Sequence, residues 1–186
     1  MKKIVLTFLS VASFSIYNNI EARDYYDGGS IGFSNLSSQR GTGVALNGFL
    51  GNKLNKYLSI EANATYFFSG DYTAGDYSYN RYVKTADISE FFLGGAARGD
   101  LALTNRLGLY GKVGMGYTYA SLTSVNGYDT KFMGYNDQDT AWFPTTLVGA
   151  GVQYELTKNL NVSFEDMNYI SSVGGNLLSM GLNFSF

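Results

Sequence analysis

The chain has 186 residues, among them 23 Gly, 16 Tyr, 13 Phe and one Pro, with neither Cys nor His. One domain fits this length, glycine without a three-residue period excludes collagen, and a single proline excludes a proline-rich linker. A formal net charge of −2 leaves no basic excess for nucleic acid, and the lack of cysteine excludes disulfides and thiolate metal sites.

Residues 1–22 read as a secretory signal. Met1, Lys2 and Lys3 form a basic start, residues 4–16 are an apolar stretch too short to span a membrane, and Ala22 supplies a small residue before the cut. Removing this segment takes away two lysines and one glutamate, so residues 23–186, expected to form one barrel domain, carry a net charge of −3. No stretch of about 18 apolar residues follows, so no transmembrane helix is expected. Barrel strands remain open, because they hide their hydrophobicity in alternation.

In chain order, strands are expected at 28–36, 42–51, 58–68, 87–101, 107–120, 141–156, 160–169 and 176–186. The clearest is 58–68, where Leu58, Ile60, Ala62, Ala64, Tyr66 and Phe68 take one face and Ser59, Glu61, Asn63, Thr65 and Phe67 the other. The segment 107–120 repeats the pattern. Connectors at 52–56, 102–106 and 157–159 are short. Those at 69–86 and 121–140 are long and polar, with 37–41 and 170–175 as shorter members of that second set. Short turns at one end and longer loops at the other predict an all-β fold, an eight-stranded antiparallel transmembrane β-barrel of up-and-down topology.

Alternation alone does not say which face is inside. Two groups of aromatics on the apolar face point to lipid outside: Tyr66, Phe68, Phe91, Tyr117, Tyr119 and Trp142 near the long loops, and Tyr154, Phe184 and Phe186 near the short turns. The second face then lines a packed polar interior and carries Glu61, Arg98, Lys112, Gln153 and Glu165. The spacing sets Glu61, Arg98, Lys112 and Glu165 at similar height. Buried charges must be paired, so two acids and two bases are expected to form a neutral network, with Glu61 on Arg98, Lys112 sharing that acid and Glu165 balancing the second base. An eight-stranded barrel is just wide enough for its side chains to fill. The network is therefore either a structural plug or a gate for small ions.

The last strand, 176–186, ends on an aromatic residue with Leu178, Met180, Leu182, Phe184 and Phe186 alternating toward lipid. It resembles the C-terminal signal that barrel-assembly machinery reads, carried by Phe184 and Phe186. Residues 148–157 resemble the sixth strand of the outer membrane protein A barrel, and 159–165 its seventh. The resemblance extends over residues 23–186 and is shared with opacity-type surface antigens and small barrel adhesins. It implies a bacterial outer-membrane location with both termini periplasmic, contact with outer-membrane lipid and lipopolysaccharide, and a structural or surface-interaction role, with a narrow ion-conducting porin as the alternative. Family charge positions map onto Glu61, Arg98, Lys112 and Glu165. Two positions depart: an acid on the sixth strand is Gln153 here, and a base on the seventh is Ser163. No peptidoglycan-binding domain is expected.

Enzymes on such barrels typically use a catalytic histidine as general base, and this chain has none. Residues 111–116, GKVGMG, superficially resemble a phosphate loop but sit in period-two alternation with no helix after them. Their inward glycines are expected to make room for Arg98, Lys112 and Tyr110. Asp129, Asn136, Asp137 and Asp139 offer oxygen ligands at a spacing that matches no calcium loop. No cofactor or metal is therefore expected. Tyr72, Tyr77, Tyr79 and Tyr82, set among Asp71, Asp76 and Arg81, are residue types enriched at binding hot spots. They are the candidates for a host or surface ligand, the alternative being packing of the loop on itself or on lipopolysaccharide sugars. Deleting Phe186 should lower the amount of folded barrel without affecting export. Normal membrane levels of the heat-modifiable form would show that Phe186 is not part of an assembly signal.

Overall fold

The computed structural model describes the backbone of residues 25–36, 43–76, 81–124 and 140–186, and their side chains except at 36, 69–76, 81–88 and 122–124. Eight strands follow one another: β1 (Tyr25–Leu36), β2 (Gly43–Lys53), β3 (Leu58–Asp76), β4 (Arg81–Ala102), β5 (Leu107–Ser124), β6 (Thr140–Thr157), β7 (Leu160–Ile170) and β8 (Gly175–Ser185). Each pairs antiparallel with the next, and β8 returns to β1 to close the barrel. Phe186 lies just past β8, and its N–H donates to the Tyr25 carbonyl at 3.1 Å, the last rung of that seam.

Two of the short turns are built alike. In 54–57 the Asn55 side-chain oxygen accepts from the N–H of Tyr57 and Leu58 at 2.8 and 3.0 Å. In 103–106 the Thr104 hydroxyl accepts from Arg106 and Leu107 at 3.2 and 2.9 Å. Asn and Thr favour turns for this reason: the side chain substitutes for the ladder partner that the reversing backbone loses.

Period-two alternation decides the two faces. Met115, Phe33, Trp142 and Met180 are 76%, 67%, 63% and 62% exposed on the outside, while Glu61, Arg98, Lys112 and Glu165 are buried inside. That is the inverse of a water-soluble fold and matches a lipid-facing surface. Tyr66, Phe91, Tyr119 and Trp142 fall in one register across β3 to β6, with the Tyr119 and Trp142 rings 5.0 Å apart. Tyr154, Phe184 and Phe186 are exposed at the turn end. Asp166 departs from the pattern, facing outward on β7 between Ala150 and Leu178.

Three expectations change. The long segments after the third and fifth strands are partly strand: β3 runs on to Asp76, β4 starts at Arg81 and β5 ends at Ser124. With 18–22 residues each against 11–12 in the others, β3 to β6 stand above β7, β8, β1 and β2 as a wall on one side. The polar loop composition concealed this because backbone pairing across β3 and β4 needs no apolar face. The interior is also not uniformly polar: its half nearer the long loops contains an apolar cluster that includes Phe67, Phe92, Leu147, Met167, Tyr169 and Leu177, with Glu90, Thr118 and Thr145 buried in the same half. Finally, the glycines of β5 do not house the charged side chains. A Cβ at Gly114 or Gly116 would strike the β4 backbone, at Gly95 and Leu93 respectively. Gly151 is the residue over which the Tyr110 ring lies, and Gly51 and Gly28 do the same for Tyr26 and Phe49. Replacing Gly116 with Val should therefore destabilise the folded barrel by about 1–3 kcal/mol through overpacking. An unchanged melting temperature for that variant would show the β4–β5 approach to be loose.

Candidate functional site

The interior charges follow from register. Arg98 on β4 and Lys112 on β5 are direct cross-strand partners, so two positive groups enter the lumen side by side. Like charges in that arrangement repel and require acids between and beside them. Glu61 on β3 lies between: its Oε1 accepts from Arg98 Nη1 at 3.4 Å and its Oε2 sits 2.9 Å from Lys112 Nζ. Glu165 on β7 takes Lys112 from the other side at 2.9 Å. The four predicted residues thus meet in one network, with Lys112 at its centre.

Three further residues complete it. Asp100 binds Arg98 through Nε at 3.0 Å and Nη2 at 2.7 Å, both to Oδ1. Gln153 accepts from Arg98 Nη2 and donates to Asp100 at 3.4 Å. Tyr26 donates its hydroxyl proton to Glu61 at 2.7 Å. Gln153 belonged to the inward face on alternation. Asp100 is two residues after Arg98, and that spacing alone would have placed it on the same face. Tyr26 preceded the expected start of its strand. Ser163, the other departure from the family pattern, is near Asn183 at 3.4 Å.

Aromatic rings fill the space around the cations. The Arg98 guanidinium lies 3.9 Å from the Tyr110 ring centre and Lys112 Nζ 4.8 Å from that of Phe49. Such contacts stabilise a desolvated cation. The expected neutrality does not hold: Glu61, Glu165 and Asp100 face Arg98 and Lys112, leaving one net negative charge at the partly exposed Asp100. Among the described residues no group of three or more His, Cys, Asp or Glu is placed to hold a metal. Tyr77 and Tyr79 lie outside the described residues. For Tyr72 and Tyr82 the backbone places both on the rising β3–β4 hairpin, paired with Ala86 and Gly75.

A closed eight-stranded sheet with an apolar exterior and an ion-paired lumen defines a small outer-membrane β-barrel. The chain belongs to the outer membrane protein beta-barrel domain family, whose model matches residues 4–186. Its fold is similar to that of Neisserial surface protein A, at 17% identity and a TM-score of 0.63 over 90% of this chain and 100% of that one. The attachment invasion locus protein Ail of Yersinia pestis matches at 12% identity and TM-score 0.56 over 90% and 100%. The N-terminal β-barrel domain of Pseudomonas aeruginosa OprF matches at 15% and 0.53 over 89% and 100%. No curated protein matches the sequence.

The geometry ranks the charges. Without Glu61, Arg98 keeps Asp100 and Lys112 keeps Glu165, so each base retains an acid. Without Lys112, three acids face Arg98 alone. Lys112→Met should therefore cost about 3–5 kcal/mol, the usual range for breaking a buried pair, and more than Glu61→Gln. The double change Lys112→Met with Glu165→Gln should recover part of the loss. Melting of the variants in detergent measures this, and equal melting of Lys112→Met and Glu61→Gln would refute the central place of Lys112.

Proposed function

We propose that this chain is a non-enzymatic surface protein of the bacterial outer membrane, with a structural role and an attachment role carried by its long-loop end. The observation that carries the proposal is the asymmetry of the strands: β3 to β6 project beyond the other four and raise a wall of paired backbone above the barrel. A membrane anchor alone needs strands of only about 9–11 residues, the length of β2, β7 and β8, so the added strand length serves what lies beyond the bilayer. The interior favours no transport role, because charged and aromatic side chains fill it. The absence of histidine and the ion pairing of Glu61 and Glu165 support a non-enzymatic reading. The fold likeness to a protein named for attachment and invasion points the same way.

On this reading residues 1–22 are removed on export and both termini lie in the periplasm. The partners are outer-membrane lipid and lipopolysaccharide, the assembly machinery at Phe184 and Phe186, and a host or surface ligand at Tyr72, Tyr77, Tyr79 and Tyr82. A second reading, a narrow ion-conducting porin, draws support from the net negative charge and from Asp100, whose side chain keeps 21% of its exposure. Replacing the four tyrosines together with Ser should reduce attachment of displaying cells to host cells or matrix and leave the barrel heat-modifiable. Attachment that survives the change, or a parent protein that never attaches, would turn the assignment toward the purely structural role.

A further inference from the structure

Above the ion pairs, one belt of the inner wall carries Ser30, Asn47, Asn63 and Ser179. Ser30 is the cross-strand partner of Asn47, Asn63 follows Glu61 by two residues on β3, and Ser179 faces Glu165 across β7 and β8. The Ser30 and Ser179 hydroxyls, the Asn47 side-chain nitrogen and both polar atoms of the Asn63 amide are buried and have no hydrogen-bond partner in the protein. Five such atoms are too many to be left unmade, because each would forfeit its solvation. The chemistry of the set selects its guest. A bare cation would meet two amide NH2 groups with Lys112 below, and an anion would meet Glu61 and Glu165. Water donates and accepts, and satisfies amides and hydroxyls together.

The same belt is closed at both ends. On the turn side lie Lys112, Glu61 and Glu165, all buried. On the long-loop side Phe67, Phe92 and Tyr169 form a ring triad in which Tyr169 meets each phenylalanine edge-on at 5.1 Å. Leu147, Met167 and Leu177 fill the same layer and are inaccessible to solvent. Val173, from the β7–β8 turn, is equally inaccessible. Thr65 ties this layer to the belt, with its hydroxyl 2.9 Å from Asn47 Oδ1 and 2.8 Å from the Tyr169 hydroxyl.

We infer that the mid-barrel belt of Ser30, Asn47, Asn63 and Ser179 is an occluded water site, and that the apolar layer of Phe67, Phe92, Tyr169 and Leu177 is a second seal in series with the ion pairs. The barrel is then shut by two barriers of opposite chemistry, and loosening the charges alone opens no path.

The chain has no cysteine, so Ser179→Cys is a single thiol reporter of access to the belt. In the folded barrel in detergent, a small cationic methanethiosulfonate reagent should label it far more slowly than it labels an exposed site such as Ser172→Cys. Adding Phe92→Ala, or separately Leu177→Ala on another strand, should speed labelling about tenfold or more by opening the loop-side layer. Each variant is scored only if its gel shift on heating shows a folded barrel. Nuclear Overhauser contacts between water and the Asn47 and Asn63 amide protons should be present in the parent protein. Rapid labelling of the parent, or seal variants that fold and label no faster, would overturn the seal. Missing water contacts at both amides would overturn the water site. In planar bilayers, Glu61→Gln alone should stay silent; steady conductance from it would show the apolar layer to be no barrier.

Discussion

In hydrocarbon a peptide N–H without an acceptor costs several kcal/mol, and the closed pairing of the eight strands answers that constraint. The closure of β8 onto β1, continued by the Phe186 N–H on Tyr25, removes the last free edges of the lipid-spanning sheet. Once the sheet is closed, alternation must send one face to lipid and the other into a narrow lumen. That lumen holds no bulk solvent for a charged group, so the inward charges must be paired with one another.

The two halves of the lumen solve this problem differently. Near the short turns, cations are neutralised in place: Lys112 between two carboxylates, and Arg98 between Glu61, Asp100 and an aromatic ring. Near the long loops Phe67, Phe92, Leu147, Met167, Tyr169 and Leu177 pack as a small apolar core, with Glu90, Thr118 and Thr145 buried beside it. Glycines mediate the first solution. Bare backbone at Gly28, Gly51 and Gly151 lets the Phe49, Tyr26 and Tyr110 rings lie flat against the facing strand, and those rings meet the cations. At these three positions glycine is what fits a ring into the narrow barrel, while Gly114 and Gly116 instead let β5 approach the β4 backbone.

The strands differ in how far they run past the bilayer. β3 to β6 continue past the length a bilayer requires and still pair. The rising hairpin shares its strands with the membrane-embedded half, with register shifts between Phe67 and Gly70 and between Tyr72 and Thr73.

Much of this was legible in the residues alone. Strict alternation over 58–68 and 107–120 determined strand identity and the two faces, because a period of two leaves only two, and the aromatic groups near the strand ends pointed the apolar face to lipid. Alternating connector lengths determined up-and-down order. The inward membership of Glu61, Arg98, Lys112 and Glu165 followed from the same parity, as it would have for Asp100 had the face been counted two residues past Arg98. What parity does not contain is stagger: how far each strand slides along its neighbour is set by closure of the whole sheet. Stagger made Arg98 and Lys112 direct cross-strand partners and set Lys112 between Glu61 and Glu165, while Asp100, two residues along the same strand, brought Arg98 a further acid. It also gathered Phe67, Phe92, Leu147 and Tyr169, scattered over four strands, into one apolar layer. The sequence by itself determined which side chains enter the lumen and, from their distance to the turns, that four charges share one level; only the closed barrel, which fixes the stagger of every strand, decided which further residues join them and which apolar side chains meet.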